Sequence, residues 1–201
     1  EKYICLRDEF LISEPKPFSP EVKTVLSLFG GTDPSNMTSV IYRLAGKMHQ
    51  NYPNVRFVFL AGIGYDCEKN GIVTREEENI FVVKDAKYVS AYMRQADLAF
   101  TSQGRTVYEF AAMGVPAIVL AQNEREQLHT FAQMNNGFFN LGLGKDVRRE
   151  TIERSFEFLM NTPDFKSLIN ESIYQAATAR HAAKAAISAM LPNEEIISFP
   201  T

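Results

Sequence analysis

Two short turns carry residue types suited to holding an anion. The first, Gly30-Gly31-Thr32-Asp33, ends the apolar run Thr24 to Phe29. Paired glycines let backbone N–H groups approach a phosphate or sugar closely, and the Thr32 hydroxyl adds a donor. Taken alone, they also suit any tight strand-to-helix turn. The second turn, Ser102-Gln103-Gly104-Arg105-Thr106, lies between the buried run Leu98 to Thr101 and a helical stretch from Thr106 to Met113. Gly104 permits close approach, the first N–H groups of the helix lack partners, and Arg105 supplies a positive charge. Glu109 follows in the first helical turn, within reach of a ribose hydroxyl pair beside the anion. Together these residues point to a nucleotide diphosphate site.

Further candidates stand just past the next strand. Asn123 and Gln127 could hydrogen-bond a sugar, although N-capping explains Asn123 equally well. Glu124, Arg125 and Glu126 read as a solvated helix start, and His129 as a structural histidine. His49 and His181 have no activating neighbour in the sequence. Neither a Ser/His/Asp triad nor an acid pair nor a metal-ligand cluster emerges, so the chain shows binding features without a catalytic centre. It also lacks the full G-x-G-x-x-G fingerprint, the P-loop lysine and an acidic residue at the end of the second strand, where Ala61-Gly62 stand. A hydride-transfer enzyme is therefore disfavoured.

The elements that position these turns read as an alternating β/α series. Strands are expected at Thr24–Phe29, Val55–Ala61, Ile80–Val83, Leu98–Thr101, Ala117–Leu120 and Phe138–Leu141. Helices are expected over about Met37–Gln50, Lys87–Gln95, Thr106–Met113, Arg125–Asn135 and Thr151–Asn161, with a longer one from Asp164 to about Met190. Tyr65 to Glu78 reads as loop or weak helix. The expected fold is α/β: a doubly wound, Rossmann-like parallel sheet of about six strands with a helical C-terminal cap. Residues 1–20, rich in proline, read as an irregular interdomain linker; 21–145 as the nucleotide-binding domain; 146–201 as its helical extension.

The chain has 201 residues, 45% hydrophobic and 22% charged, with a net charge of −3. No overall field draws it to nucleic acid or an anionic membrane, so any phosphate site must be local. No apolar run is long enough to span a bilayer. Cys5 and Cys67 lack metal-ligand spacing and read as plain thiols of a reducing cytoplasm. The opening at Glu1 without Met reads as an excised domain.

The motifs SLFGGTDPSN and ADLAFTSQGRTVYEFAAMGVPAIVLAQNEREQ resemble the C-terminal half of GT-B nucleotide-sugar proteins. The pattern is similar to the UDP-sugar hydrolases of pseudaminic (nonulosonic) acid biosynthesis and to spore-coat polysaccharide biosynthesis proteins. A more distant likeness is to the N-acetylglucosaminyltransferase that makes lipid II. YICLRDEF resembles the interdomain segment of the hydrolase group.

The resemblance implies that Gly30, Gly31, Thr32, Gly104, Arg105 and Thr106 face the diphosphate of UDP or a UDP-sugar. It implies that Glu109 takes the ribose and that Val83-Lys84-Asp85 contact the uracil. Asp33, Gln103, Asn123 and Gln127 would lie on the sugar side. The catalytic histidine would belong to an N-terminal GT-B domain of the same parent chain, so this half alone would bind weakly and catalyse nothing. In the hydrolases, an activated water releases UDP and a free amino sugar, which feeds a sialic-acid-like pathway. A parent that also carries a cytidylyltransferase domain is compatible with this group. Gln103 and Arg105 replace small residues of the family turn S-x-G-G-S-T. Arg105 then either pairs with phosphate or blocks the site. Two alternatives stand beside hydrolysis: a GT-B glycosyltransferase domain, and a non-catalytic Rossmann-like interaction module.

Overall fold

The structure, a computed structural model, describes residues 6–17, 19–162 and 173. Its centre is a six-stranded sheet, parallel throughout, in the order β3-β2-β1-β4-β5-β6. The strands are β1 (Thr24–Leu28), β2 (Arg56–Ala61), β3 (Ile80–Lys84), β4 (Leu98–Thr101), β5 (Ala117–Ala121) and β6 (Phe138–Leu143). Inner strands β4 and β5 are buried at every position, as expected where helices cover both faces of a parallel sheet. The edge strands β3 and β6 are only partly buried. This is the doubly wound α/β fold expected from the sequence.

The helices are α1 (Asp8–Ile12), α2 (Met37–Asn51), α3 (Val89–Met93), α4 (Thr106–Met113), α5 (Glu124–Gln127) and α6 (Arg149–Asn161). Two apolar clusters sandwich the sheet. One joins Val25, Phe57, Phe59, Phe100 and Leu120 to Ile41 and Leu44 of α2 and to Ile152 and Phe156 of α6. The other joins Leu26, Val58, Ala99 and Val119 to Phe10 of α1, Met93 of α3 and Phe110 of α4. In α2 the apolar residues recur every three to four positions, so one stripe is buried while Lys47 remains outside and pairs with Glu153 of α6 at 2.6 Å.

Several boundaries differ from expectation. The segment read as irregular linker contains α1, because Phe10 is fully buried against α4 and fixes the local chain. Helix α5 is a single turn, where about ten residues were expected, and a 3-10 turn at Met134–Asn136 replaces its second half. Tyr65 to Glu78 is loop, ending in a 3-10 turn at Glu76–Glu78. The long helix expected beyond Asp164, His181 and Cys5 lie outside the described residues, apart from the buried Ile173. Cys67 is a buried free thiol, and burial pushes its pKa up.

Phe156 is the keystone of the first cluster. It is fully buried, with ring centroids 5.5 Å from Tyr52, 6.0 Å from Phe57 and 6.0 Å from Phe100. Phe156→Ala is expected to cost about 3–5 kcal/mol, read as a lower midpoint in urea denaturation.

Candidate functional site

The chain moves outward from β1 to β2 and β3, then returns to place β4 on the opposite side of β1. The β1 and β4 connections therefore depart to opposite faces and leave a crevice at the carboxyl ends of these strands. A cleft of about 560 Å³ occupies that crevice. Gly30, Gly31 and Thr32 line one wall; Ser102, Gly104, Arg105, Thr106 and Glu109 line the other. The structure thus brings together all the residues of the two turns singled out for the diphosphate.

Local chemistry explains the first wall. Gly30 sits at φ +80°, a left-handed conformation that favours glycine. Gly62, just past β2, packs directly on this turn, and a Cβ there would lie 2.5 Å from Gly31 Cα and 2.6 Å from Gly30 O. The Gly64 amide also donates to Gly31 O at 2.9 Å. Sequence reasoning noted Gly62 only as the end of a strand; its packing on a distant turn is a tertiary fact.

On the second wall, α4 begins without a side-chain cap at Arg105. Its first N–H groups therefore carry the positive end of the helix dipole beside Gly104 and Thr106. The exposed Arg105 adds its charge at the rim. Glu109, one turn on, also lines the cleft.

A smaller recess of about 280 Å³ continues from the cleft past Leu28, Gly62 and Val89, and is bounded by Leu60, Ala61, Ile63, Asp85 and Ala86. It is an apolar slot edged by backbone, at the place expected for a base. Val83 and Lys84 do not line it: Val83 packs against the second cluster, and Lys84 turns outward to Glu68 at 3.5 Å. The alternation of side chains along β3 hands the edge of the slot to Asp85 and Ala86 instead.

None of the four residues assigned to the sugar side lines the cleft. Asp33 is buried, and its carboxylate accepts from the backbone N–H of Met37 at 3.0 Å and of Thr38 at 2.6 Å. It caps α2, where the helix dipole favours a carboxylate. The buried Gln103 donates its side-chain amide to His129 O at 2.6 Å, while His129 Nδ1 meets Gln103 O at 3.0 Å. The long side chain thus points into the protein and takes no room from the glycine turn, and His129 is structural as expected. Asn123 Oδ1 accepts from the Glu126 amide at 3.0 Å, so it is the N-cap of α5. Gln127 lies against Gly142 of β6.

Two cleft residues were missed. Gln122 is buried, donates to Phe29 O at 2.6 Å and ties β5 to the first turn. Glu126, read as solvated, accepts from the Gln122 amide at 2.8 Å and reaches towards Gly104. Both depend on chain segments meeting at the sheet edge. Among the described residues, no cluster of three or more His, Cys, Asp or Glu could hold a metal ion, and no helix is long and apolar enough to cross a membrane.

Comparison with solved structures identifies the architecture. The C-terminal domain of a group 1 family glycosyl transferase from Francisella tularensis superposes with a TM-score of 0.57, covering 80% of this chain and 87% of that one at 12% identity. The fold is one Rossmann-like half of a GT-B protein. A second GT-B relative in fold is TarM of S. aureus, solved in complex with fondaparinux, alpha-GlcNAc-glycerol and UDP, with a TM-score of 0.60 at 11% identity over 89% of this chain and 36% of TarM. In sequence, this GT-B half is 31% identical over 134 residues to an uncharacterised protein of Methanocaldococcus jannaschii, spanning 63% of this chain and 27% of that protein. It is 24% identical over 165 residues to the spore coat polysaccharide biosynthesis protein SpsG of Bacillus subtilis, spanning 80% of this chain and 48% of SpsG. The chain thus matches less than half the length of either relative. No protein-family model matches it.

Gly62→Ala tests the packing that shapes the first wall. It is expected to cost about 1–3 kcal/mol and to shift the amide signals of Gly30 and Gly31 in NMR spectra. Unchanged signals would show that the turn is set without Gly62.

Proposed function

We propose that this chain is the nucleotide-binding half of a GT-B glycosyltransferase that uses a UDP-sugar. The observation that carries the reading is the convergence of the two turns on one cleft at the switch point of the sheet. The diphosphate would lie between Gly30-Gly31-Thr32 and the uncapped start of α4. Glu109 would accept from the ribose hydroxyls, and the base would enter the recess edged by Asp85 and Ala86. The UDP bound by the fold relative TarM supports the choice of nucleotide. The sugar would project towards a second GT-B domain that completes the active cleft and supplies the catalytic group.

Glycosyl transfer is favoured because the solved relatives in fold include glycosyltransferases. A second reading, hydrolysis of a UDP-amino sugar by water, rests on the resemblance of YICLRDEF and the two turn motifs to the pseudaminic acid hydrolases. The two readings share the nucleotide site and differ in what attacks the anomeric carbon.

Titration of the chain with UDP, with CDP and GDP as controls, tests the shared part. Amide shifts are expected at Gly30–Thr32, Asp85–Ala86 and Gly104–Glu109, strongest for UDP. Glu109→Ala is expected to weaken UDP at least about tenfold, equivalent to ~1.4 kcal/mol. Wild-type affinity in that variant would overturn the ribose assignment, and no binding of UDP at millimolar concentration would favour the interaction-module alternative. Incubating the full parent protein with a UDP-sugar and no acceptor separates the reactions. Slow release of free sugar supports transfer, and efficient turnover supports hydrolysis.

A further inference from the structure

Arg7 contributes to the cleft but has no place in the reading above. It stands immediately before α1, and its side chain crosses to the start of α4. Arg7 Nε donates to Glu109 Oε1 at 3.0 Å and Nη2 donates to Glu109 Oε2 at 3.2 Å, a two-point fork on one carboxylate. Nη1 pairs with Glu9 Oε1 at 3.0 Å, and Glu9 Oε2 accepts from the Ser90 amide of α3 at 2.9 Å. The guanidinium carbon also lies 4.9 Å from the ring centroid of the fully buried Phe10. One network therefore ties α3, α1 and α4 together across the mouth of the cleft.

We infer that Arg7 is a positioning residue for ribose recognition, which presets the Glu109 carboxylate to accept from the 2′- and 3′-hydroxyls of a bound nucleotide. The inference rests on the nucleotide reading above and adds how that site selects its ligand. A glutamate on the surface of a helix samples many rotamers, and ordering it on binding costs entropy. Here the cost falls on folding: the fork fixes both oxygens, and the Glu109 side chain is only 13% exposed. An ionised carboxylate offers about four acceptor positions, two on each oxygen. Arg7 uses one on each, leaving one on each for the two neighbouring hydroxyls of a ribose.

The neighbouring groups keep this fork intact. Burial lowers the pKa of Arg7, but hydrogen bonding and attraction to Glu109, with attraction to Glu9, outweigh it and the net shift is upward. Arg7 therefore stays charged throughout the working pH range. Its anchor is firm as well, since Phe10 is in the core and Lys16 closes the segment by pairing with Asp97 at 3.0 Å. A two-point fork of this kind needs a guanidinium, because an ammonium cannot address both oxygens in one plane.

The test compares Kd values for UDP and 2′,3′-dideoxy-UDP, by calorimetry, in the unaltered chain and in Arg7→Ala and Arg7→Lys. The unaltered chain is expected to prefer UDP by about tenfold or more. Arg7→Ala should cut that preference to about threefold or less, with the dideoxy ligand changed less than about twofold. Arg7→Lys should restore only part of it. Equal weakening of both ligands in Arg7→Ala would overturn the inference, because a phosphate contact or a general structural role acts on both. Tighter UDP binding would also overturn it, since Arg7 would then compete with ribose. If Arg7→Ala does not fold, Arg7→Gln keeps the stem over Phe10, removes the charge and carries the same expectations. Failure of the unaltered chain to bind UDP would overturn the nucleotide reading itself, and is seen before any variant is made.

Discussion

The cleft depends on one constraint: two neighbouring parallel strands whose onward connections leave to opposite faces of the sheet. Because β1 and β4 are paired in register, Leu28 lies beside Thr101, and the two glycine turns begin at the same level. Thr101 Oγ1 reinforces that level by donating to Leu28 O at 2.8 Å. If β4 followed β3 in the sheet as it does in sequence, the turns would stand four strands apart and share no ligand. The strand order turns two ordinary βα connections into one site.

Helix termini around this edge are treated differently, and the differences have physical consequences. Asp33 caps α2 and Asn123 caps α5, so the first amides of those helices are already supplied with acceptors. Helix α4 starts without a side-chain cap, and its amides face the cleft. A carboxylate at α2 stabilises the fold, whereas the free positive end at α4 remains for an anion. The local field at this cleft is thus positive although the chain as a whole carries a net charge of −3.

Legibility in the sequence followed the range of the interactions involved. The extent of α4 and β4 was read to the residue, because an apolar strand, a polar turn and a glycine stop are local signals. The glycine turns were legible for the same reason. The polar residues were not: Asp33, Gln103, Asn123 and Gln127 all stand beside the site in sequence, yet the side chains of the first three are spent on backbone groups and that of the fourth lies against β6. Helix α1 was missed since its stability comes from Phe10 in a distant core and from no helical periodicity of its own.

From the sequence alone came the class of fold, the strands and most helices, and the two turns with anion-binding chemistry. These rest on periodicity and on residue types acting over a few positions. Tertiary structure alone decided which side chains face the cleft. It seated Gly62 against Gly31, brought Gln122 and Glu126 to the wall, and closed the Arg7 fork on Glu109 across 102 residues of chain. The physical reason is that a hydrogen-bonding side chain takes whichever partner the packed backbone brings within about 3 Å, and sequence distance carries no record of that choice.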